Sequence, residues 1–529
     1  MKFIYISLFS MSLILMSSCQ KEDFAEAYPD PAKIATTSVE RQFTGILVAG
    51  VDYVVPSYRN YFVTLRITLN PWTQSIGWHN APNQYIPGSS GVEDVWFNYY
   101  DVLAQYRELE KIFAAEDATS QENRKIFKLA ADVFVYGETM RMVDLFGTIP
   151  FFEAGLLSTN GGDYNNSYAP FDQGKEIYSY MLTELKSIAN QLNSLNIGAG
   201  FLASFKAQDL INNGDIDLWR RYTNSLRLRM LTRVSGNPEF ASQASTEIAE
   251  ILNNPTNYPV VDDNSQNIMI DIYDVNSPIN AKGFDQGINS NGWDGDDAPQ
   301  KMIDFLKASS DPRLRVLFEP GTDANGEYIG LDPLLNSNEQ TELTNSGQIA
   351  FYNRTTTSRN QFFPGVLINA AEVSFLKAEY YLNSGDDGAA KMAYEDGIRQ
   401  SIEFYYYVNS ISNDQVAGEV APATEEEIAA LLASDPVSWD KATSASDKLS
   451  LIAYQRWVHF NIIQPYQNWA EIRRVGAPIL EFWVDNSSTQ TVPPTKWNIP
   501  GNEITYNTDN YQAIQSEDKI TNKVFWDMN

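Results

Sequence analysis

Cysteine and histidine are nearly missing from this chain: 529 residues carry one Cys and two His. A single cysteine excludes an intramolecular disulfide and a multi-cysteine metal cluster. The histidines, His79 and His459, belong to no HExxH pattern, and no GxSxG, Walker or paired-cysteine motif occurs, which disfavours a metal hydrolase or a histidine-based triad. A carboxylate-pair glycoside hydrolase stays open, because it needs only two carboxyl groups about 5 to 10 Å apart. Basic residues are also scarce, 38 Lys and Arg against 67 Asp and Glu for a net charge of -29. Binding to a phosphate backbone draws on clustered cations, so this balance argues against a nucleic acid partner, and an anionic bilayer surface would repel the body.

Long apolar runs are absent too, save one at the start. Lys2 precedes an apolar and Ser-containing run from Phe3 to Met16, which ends at Ser17-Ser18-Cys19. The run is shorter than the roughly 20 residues that cross a bilayer as a helix, and Gln20-Lys21-Glu22-Asp23 follows at once. This is a signal-peptide pattern over 1-18, and Cys19 stands where a bacterial lipobox places its acylated residue. The expectation is cleavage before Cys19 and membrane attachment through palmitate-type acyl chains on it. Two or more such chains anchor stably, at about 0.8 kcal/mol per buried methylene. Residues 19-38, with Pro29 and Pro31, read as a tether, and 39-529 as one soluble body outside the bilayer.

Within that body, helical periodicity is strong at both ends. A first helix is expected from Val39 to about Tyr61. Trp96, Tyr99, Tyr100, Leu103, Tyr106 and Leu109 recur at helical spacing, and 119-146 carries a capping-box pattern at Thr119 and Glu122. Further helices are expected at about 173-192 and 218-234. In the latter, Trp219, Tyr222, Leu226 and Met230 point inward, and Arg220, Arg227, Arg229 and Arg233 largely outward. From 236 to about 365, Asn, Asp, Gly, Pro and Ser predict long loops and a small hairpin, with one helical window at 299-308. A helix pair then follows over 370-382 and 389-405, where Ala371, Ala378, Ala390, Ala393 and Gly397 allow close approach, with more helices at 424-433 and 444-463.

Five ordered segments carry a family likeness. They are Val143-Asp144-Leu145-Phe146-Gly147-Thr148-Ile149-Pro150-Phe151; Asn213-Gly214-Asp215 through Trp219 to Arg229; Ala371 to Glu379; Trp469-Ala470-Glu471-Ile472-Arg473-Arg474; and Ile499-Pro500 with Tyr511-Gln512-Ala513. Together these resemble the SusD/RagB family, surface lipoproteins of Bacteroidota that bind nutrients for an outer-membrane transporter. The resemblance implies a mainly α fold: a tetratricopeptide-like scaffold of about four helix pairs, at about 39-235 and 366-465. It also implies a loop-rich second part, about 236-365 plus the tail 466-529, that carries the ligand site. It further implies a non-catalytic protein without a cofactor, lying over a SusC-like TonB-dependent transporter. The motif residues themselves read as structural, with Arg227, Arg229, Arg473 and Arg474 tying carboxylates and carbonyls together inside the body.

A sugar is recognised by flat aromatic faces for its C-H surfaces and by amides, carboxylates or guanidinium groups for its hydroxyls, best displayed on loops. Loop 70-80 offers Trp72, Trp78 and His79; loop 291-297 offers Trp293 and Asp294; Phe351 to Arg354 adds Tyr352. These six are the candidate ligand-binding residues for an oligosaccharide, or for a peptide as in some relatives. Asp294, Asp296 and Asp297 form a weak calcium candidate without EF-hand spacing.

Overall fold

The computed structural model describes residues 37-288, 296-414, 416 and 420-529. The signal peptide, Cys19 and most of the tether lie outside the described residues. The body is mainly helical. Helix α1 (Val39–Val54) packs against α2 (Ser89–Ala114) and α3 (Ala118–Phe146), α4 (Gly174–Asn193) against α5 (Ile216–Val234), and α5 against α6 (Ala241–Leu252). Helices α7 (Ala370–Ser384) and α8 (Asp387–Ser410) run along each other, α9 (Ala445–Phe460) packs on α7, and α10 (Pro465–Val475) packs on α9. The small residues of the α7/α8 pair make that contact possible: Ala371, Ala378 and Ala390 are fully buried. A Cβ on Gly397 would lie 2.6 Å from the Phe375 ring.

Local chemistry moves several boundaries from their expected places. The first helix stops at Val54 instead of Tyr61, because Pro56 pushes Val55 into an extended conformation (φ -82, ψ 136). Asp117, not Thr119, caps α3, its carboxylate accepting from the amides of Thr119 and Ser120 at 2.9 and 3.1 Å. The middle of the chain holds more helix than its Asn, Gly and Pro content suggests. Helix α6 buries Ala244, Ile248 and Ile251 at helical spacing, and Ser337–Asn345 is helical as well, beside the expected helix at Gln300–Ser309. The strands form no local hairpin. Ile268–Ile270 pairs antiparallel with Gly365–Ile368, and Phe318–Glu319 with Phe351–Tyr352.

The inward face of α5 reverses an expectation. Arg227 and Arg233 are buried with Trp219 and Leu226, at 0% and 1% exposure, and Arg229 is buried too. Their partners explain why. Arg233 pairs with Asp144 of α3 and with Glu471 of α10 (3.0 Å), and Arg456 of α9 pairs with Glu471 and with Glu379 of α7 (2.9 Å). Arg474 contacts both Glu379 and Glu471 at 2.7 Å. Asp144 also accepts from Tyr178 Oη at 2.6 Å and from Trp526 Nε1 at 2.7 Å, which ties α4 and the C-terminal end to the same node. Burial alone would raise Glu471, but Arg474, Arg456 and Arg233 outweigh it and hold its carboxyl well below the usual range. Glu379 is lowered in the same way by Arg474 and Arg456.

His459 shows the opposite balance. Burial, with Arg313 adding to it, pushes its pKa down to about 3. The neutral ring bonds Ser401 Oγ through Nδ1 (3.0 Å) and Asn369 Oδ1 through Nε2 (2.9 Å).

Two outcomes follow. Glu471→Ala leaves three buried guanidinium groups short of a partner and is expected to cost about 3 to 5 kcal/mol, read as a shift in the urea midpoint; a change below about 1 kcal/mol would contradict the network's role. For His459, the unfolded chain takes up a proton below about pH 6.5 that the native protein does not, so stability falls as pH drops toward 3. At pH 4.5 the loss is on the order of 3 kcal/mol, and His459→Gln should lack that pH-dependent share in parallel urea titrations.

Candidate functional site

Past Pro56 the chain forms a π-helical turn, Arg59–Thr64, and then a 3-10 turn, Leu65–Ile67. Two buried bonds hold its inner face: Tyr61 Oη donates to the Ile462 carbonyl at 2.7 Å, and Tyr466 Oη to Asn60 Oδ1 at 2.9 Å. The outer face carries Tyr58, Phe62 and Arg66, spaced by four. Tyr58 and Phe62 stack with centroids 5.0 Å apart and planes 15° from parallel. The Arg66 guanidinium carbon lies 4.1 Å from the Phe62 ring centre and 5.5 Å from that of Trp78. Tyr58 is exposed, Phe62 and Trp78 are half-buried, and Arg66 is buried under the rings it joins.

Loop 69-80 brings Trp78 to this face because its earlier residues are pinned. Trp457 Nε1 donates to the Thr73 carbonyl at 2.7 Å, and Asn468 Nδ2 to Ser75 Oγ at 3.0 Å. Gly77 donates its amide to the Asp297 carbonyl at 2.7 Å. A Cβ on Gly77 would meet Leu331 Cβ at 2.8 Å and the Ala298 carbonyl at 3.0 Å, so only glycine allows this approach. His79 follows, with Nε2 2.9 Å from Thr344 Oγ1 and 3.8 Å from Asp297 Oδ2.

Of the candidates named from sequence, Trp78 and His79 therefore come together at the surface. Trp72 does not join them. It is 2% exposed, packs on Trp469 with centroids 5.8 Å apart, and donates its Nε1 to the Gln84 carbonyl at 3.3 Å. Tyr352 is fully buried, its ring on Phe318 at 4.6 Å and its hydroxyl donating to the Ser75 carbonyl at 2.6 Å. Both serve the core, since neither offers a ring face to solvent. Trp293 and Asp294 lie outside the described residues. The helix Gly283–Ile288 just before their segment packs on the π-helical turn, and Asp297 just after it pairs with Gly77. Of the calcium candidates, Asp296 and Asp297 are buried and Asp294 lies outside the described residues; among the described residues no group of three His, Cys, Asp or Glu could hold a metal ion. Tyr58, Phe62 and Arg66 escaped the sequence reading, although their four-residue spacing directly after a proline was the available signal.

The face is thus a row of ring surfaces with one guanidinium set into it, at the junction of the helical scaffold and the loop-rich part. Ring faces suit the C-H side of a pyranose, and the guanidinium donors suit hydroxyl and carbonyl oxygens. The chain belongs to the SusD-like family, whose model, described as "Starch-binding associating with outer membrane", matches residues 69–500.

Solved structures agree on the fold. A SusD homologue from Bacteroides fragilis superposes with a TM-score of 0.72 at 20% identity, covering 93% of this chain and 100% of that one. A chitin-binding SusD homologue from Flavobacterium johnsoniae gives 0.70 at 20% identity over 92% and 99%. A SusD homologue from Bacteroides uniformis gives 0.67 at 19% identity over 93% and 100%. No curated protein sequence matches the chain. Among the described residues no helix is long and apolar enough to cross a membrane.

The placement of Trp72 is directly testable. Trp72→Ala should cost about 3 to 5 kcal/mol in urea unfolding, while Trp72→Phe should keep full ligand affinity in titration calorimetry. An affinity loss in Trp72→Phe with unchanged stability would return Trp72 to the binding face.

Proposed function

We propose that this protein captures an oligosaccharide on the Tyr58, Phe62, Arg66 and Trp78 face and passes it to a SusC-like TonB-dependent transporter. Lipid on Cys19 would hold the body at the outer membrane, with 19-38 as its tether. The observation that carries this reading is the continuous ring-guanidinium-ring row, 4.1 and 5.5 Å between neighbours, at the surface of a SusD-like body. A face of this kind binds by contact area and needs no reactive group. Of the two histidines, His459 is sealed in the core. Trp293, Asp294 and His79 are the residues proposed to complete the face around the ligand.

The family description names starch, and one structural relative is a chitin binder. Both polymers present pyranose rings in sequence, and the exposed Tyr58 and half-buried Trp78 offer ring surface to receive them. Chitohexaose and maltohexaose are therefore the first ligands to titrate. With whichever binds the native protein, Trp78→Ala and Phe62→Ala should each weaken affinity by tenfold or more, without release of free sugar. Unchanged affinity in both variants would remove this face as the binding site, and sugar release lost on changing one Asp or Glu would make the protein a glycoside hydrolase.

A further inference from the structure

A second cleft opens where the helix Gln300–Ser309 meets α9, the segment around Asp332 and the tail at Glu481. Its volume is about 430 Å3, within the roughly 300 to 1,000 Å3 of small-molecule sites. Phe305 and Tyr454 line it, both half-buried, with ring centres 5.1 Å apart and planes 31° from parallel. Tyr454 is braced edge-on by Trp457 at 6.1 Å, and Trp457 is itself fixed by its bond to Thr73. The cleft is also closed at some cost in backbone strain. Gln74, at φ 47, occupies a left-handed conformation unusual for its residue type, and its amide donates to the Glu481 carbonyl at 2.6 Å.

The charged groups around the ring pair are Lys301, Asp304, Asp332 and Glu481. Asp332 accepts from the Leu334 amide at 2.8 Å. Lys301, Asp304 and Glu481 have no side-chain partner among the described residues. Three carboxylates against one ammonium, on a chain of net charge -29, favour a cationic ligand and repel an anionic one. The walls are helices and loop side chains and offer no strand edge on which a peptide backbone could pair.

We propose that this cleft is a second saccharide site, selective for a glycan that carries a protonated amino group. A sugar ring lies on Phe305 and Tyr454, and its ammonium sits among Asp304, Asp332 and Glu481. The proposal rests on the reading of the protein as a glycan binder, but on different residues from the first face.

The test uses the full folded protein and the glucosamine trimer in titration calorimetry. The native protein should bind it, more weakly as salt rises from 50 to 300 mM, and should not bind trigalacturonate. Phe305→Ala should weaken binding about tenfold. Asp304→Asn with Glu481→Gln, a change of charge at preserved shape, should weaken it about fivefold. In the Trp78→Ala background the loss caused by Phe305→Ala should persist. The proposal is overturned by failure of the native protein to bind the trimer, by equal affinity in the Phe305 and carboxylate variants, or by tighter binding of trigalacturonate or trilysine. The two sites fail separately: trimer binding lost only in Trp78→Ala removes the cleft and keeps the first face. Hexasaccharide binding insensitive to Trp78 and Phe62, beside a trimer sensitive to Phe305, does the reverse.

Discussion

The carboxylate of Glu471 is the point from which the rest of the molecule is held. It meets Arg233, Arg456 and Arg474, and through them Asp144 and Glu379, so that residues far apart in the chain converge on one buried and charge-balanced cluster. Ions taken out of water are costly unless fully paired, and here the partners are supplied by five helices. The cluster can form in only one arrangement of α3, α5, α7, α9 and α10. This accounts for the family motifs: Asp144, Glu379, Glu471 and Arg474 belong to the segments by which the chain resembles its relatives, Arg233 lies one turn beyond another, and none reaches the proposed binding face.

The link from cluster to face runs through α9 and α10. These helices carry Arg456 and Glu471 inward, and from the same region Ile462 and Tyr466 grip the π-helical turn. Trp457, Asn468 and Trp469 hold loop 69-80. The ring faces of Tyr58, Phe62 and Trp78 therefore need not be ordered by a ligand on arrival, which lowers the entropic cost of binding. The same Trp457 braces Tyr454 in the second cleft, so both aromatic surfaces draw rigidity from one helix.

Much of the fold was legible in the sequence, and the errors have physical causes. Long amphipathic segments such as 118-146 and 216-234 announce themselves because apolar side chains at helical spacing have few alternatives. The buried Arg227, Arg229 and Arg233 were read outward because periodicity treats every charge as solvated, and pairing partners from other helices are invisible to it. Helix α6 was masked by the polar residues around it. At the proposed site, composition alone cannot tell Trp72 from Trp78. Six residues apart in the same loop, one packs on Trp469 and the other faces Arg66. Tyr58 falls inside the helix expected to run to about Tyr61, whereas Pro56 ends that helix at Val54.

The central claim is that the row of Tyr58, Phe62, Arg66 and Trp78 is where the ligand lies. A crystal structure of the protein with a bound hexasaccharide tests it most directly. The account predicts pyranose rings stacked on Tyr58 and Trp78, the exposed and half-exposed rings of the row. A hexasaccharide bound elsewhere, with this face left in water, would contradict it.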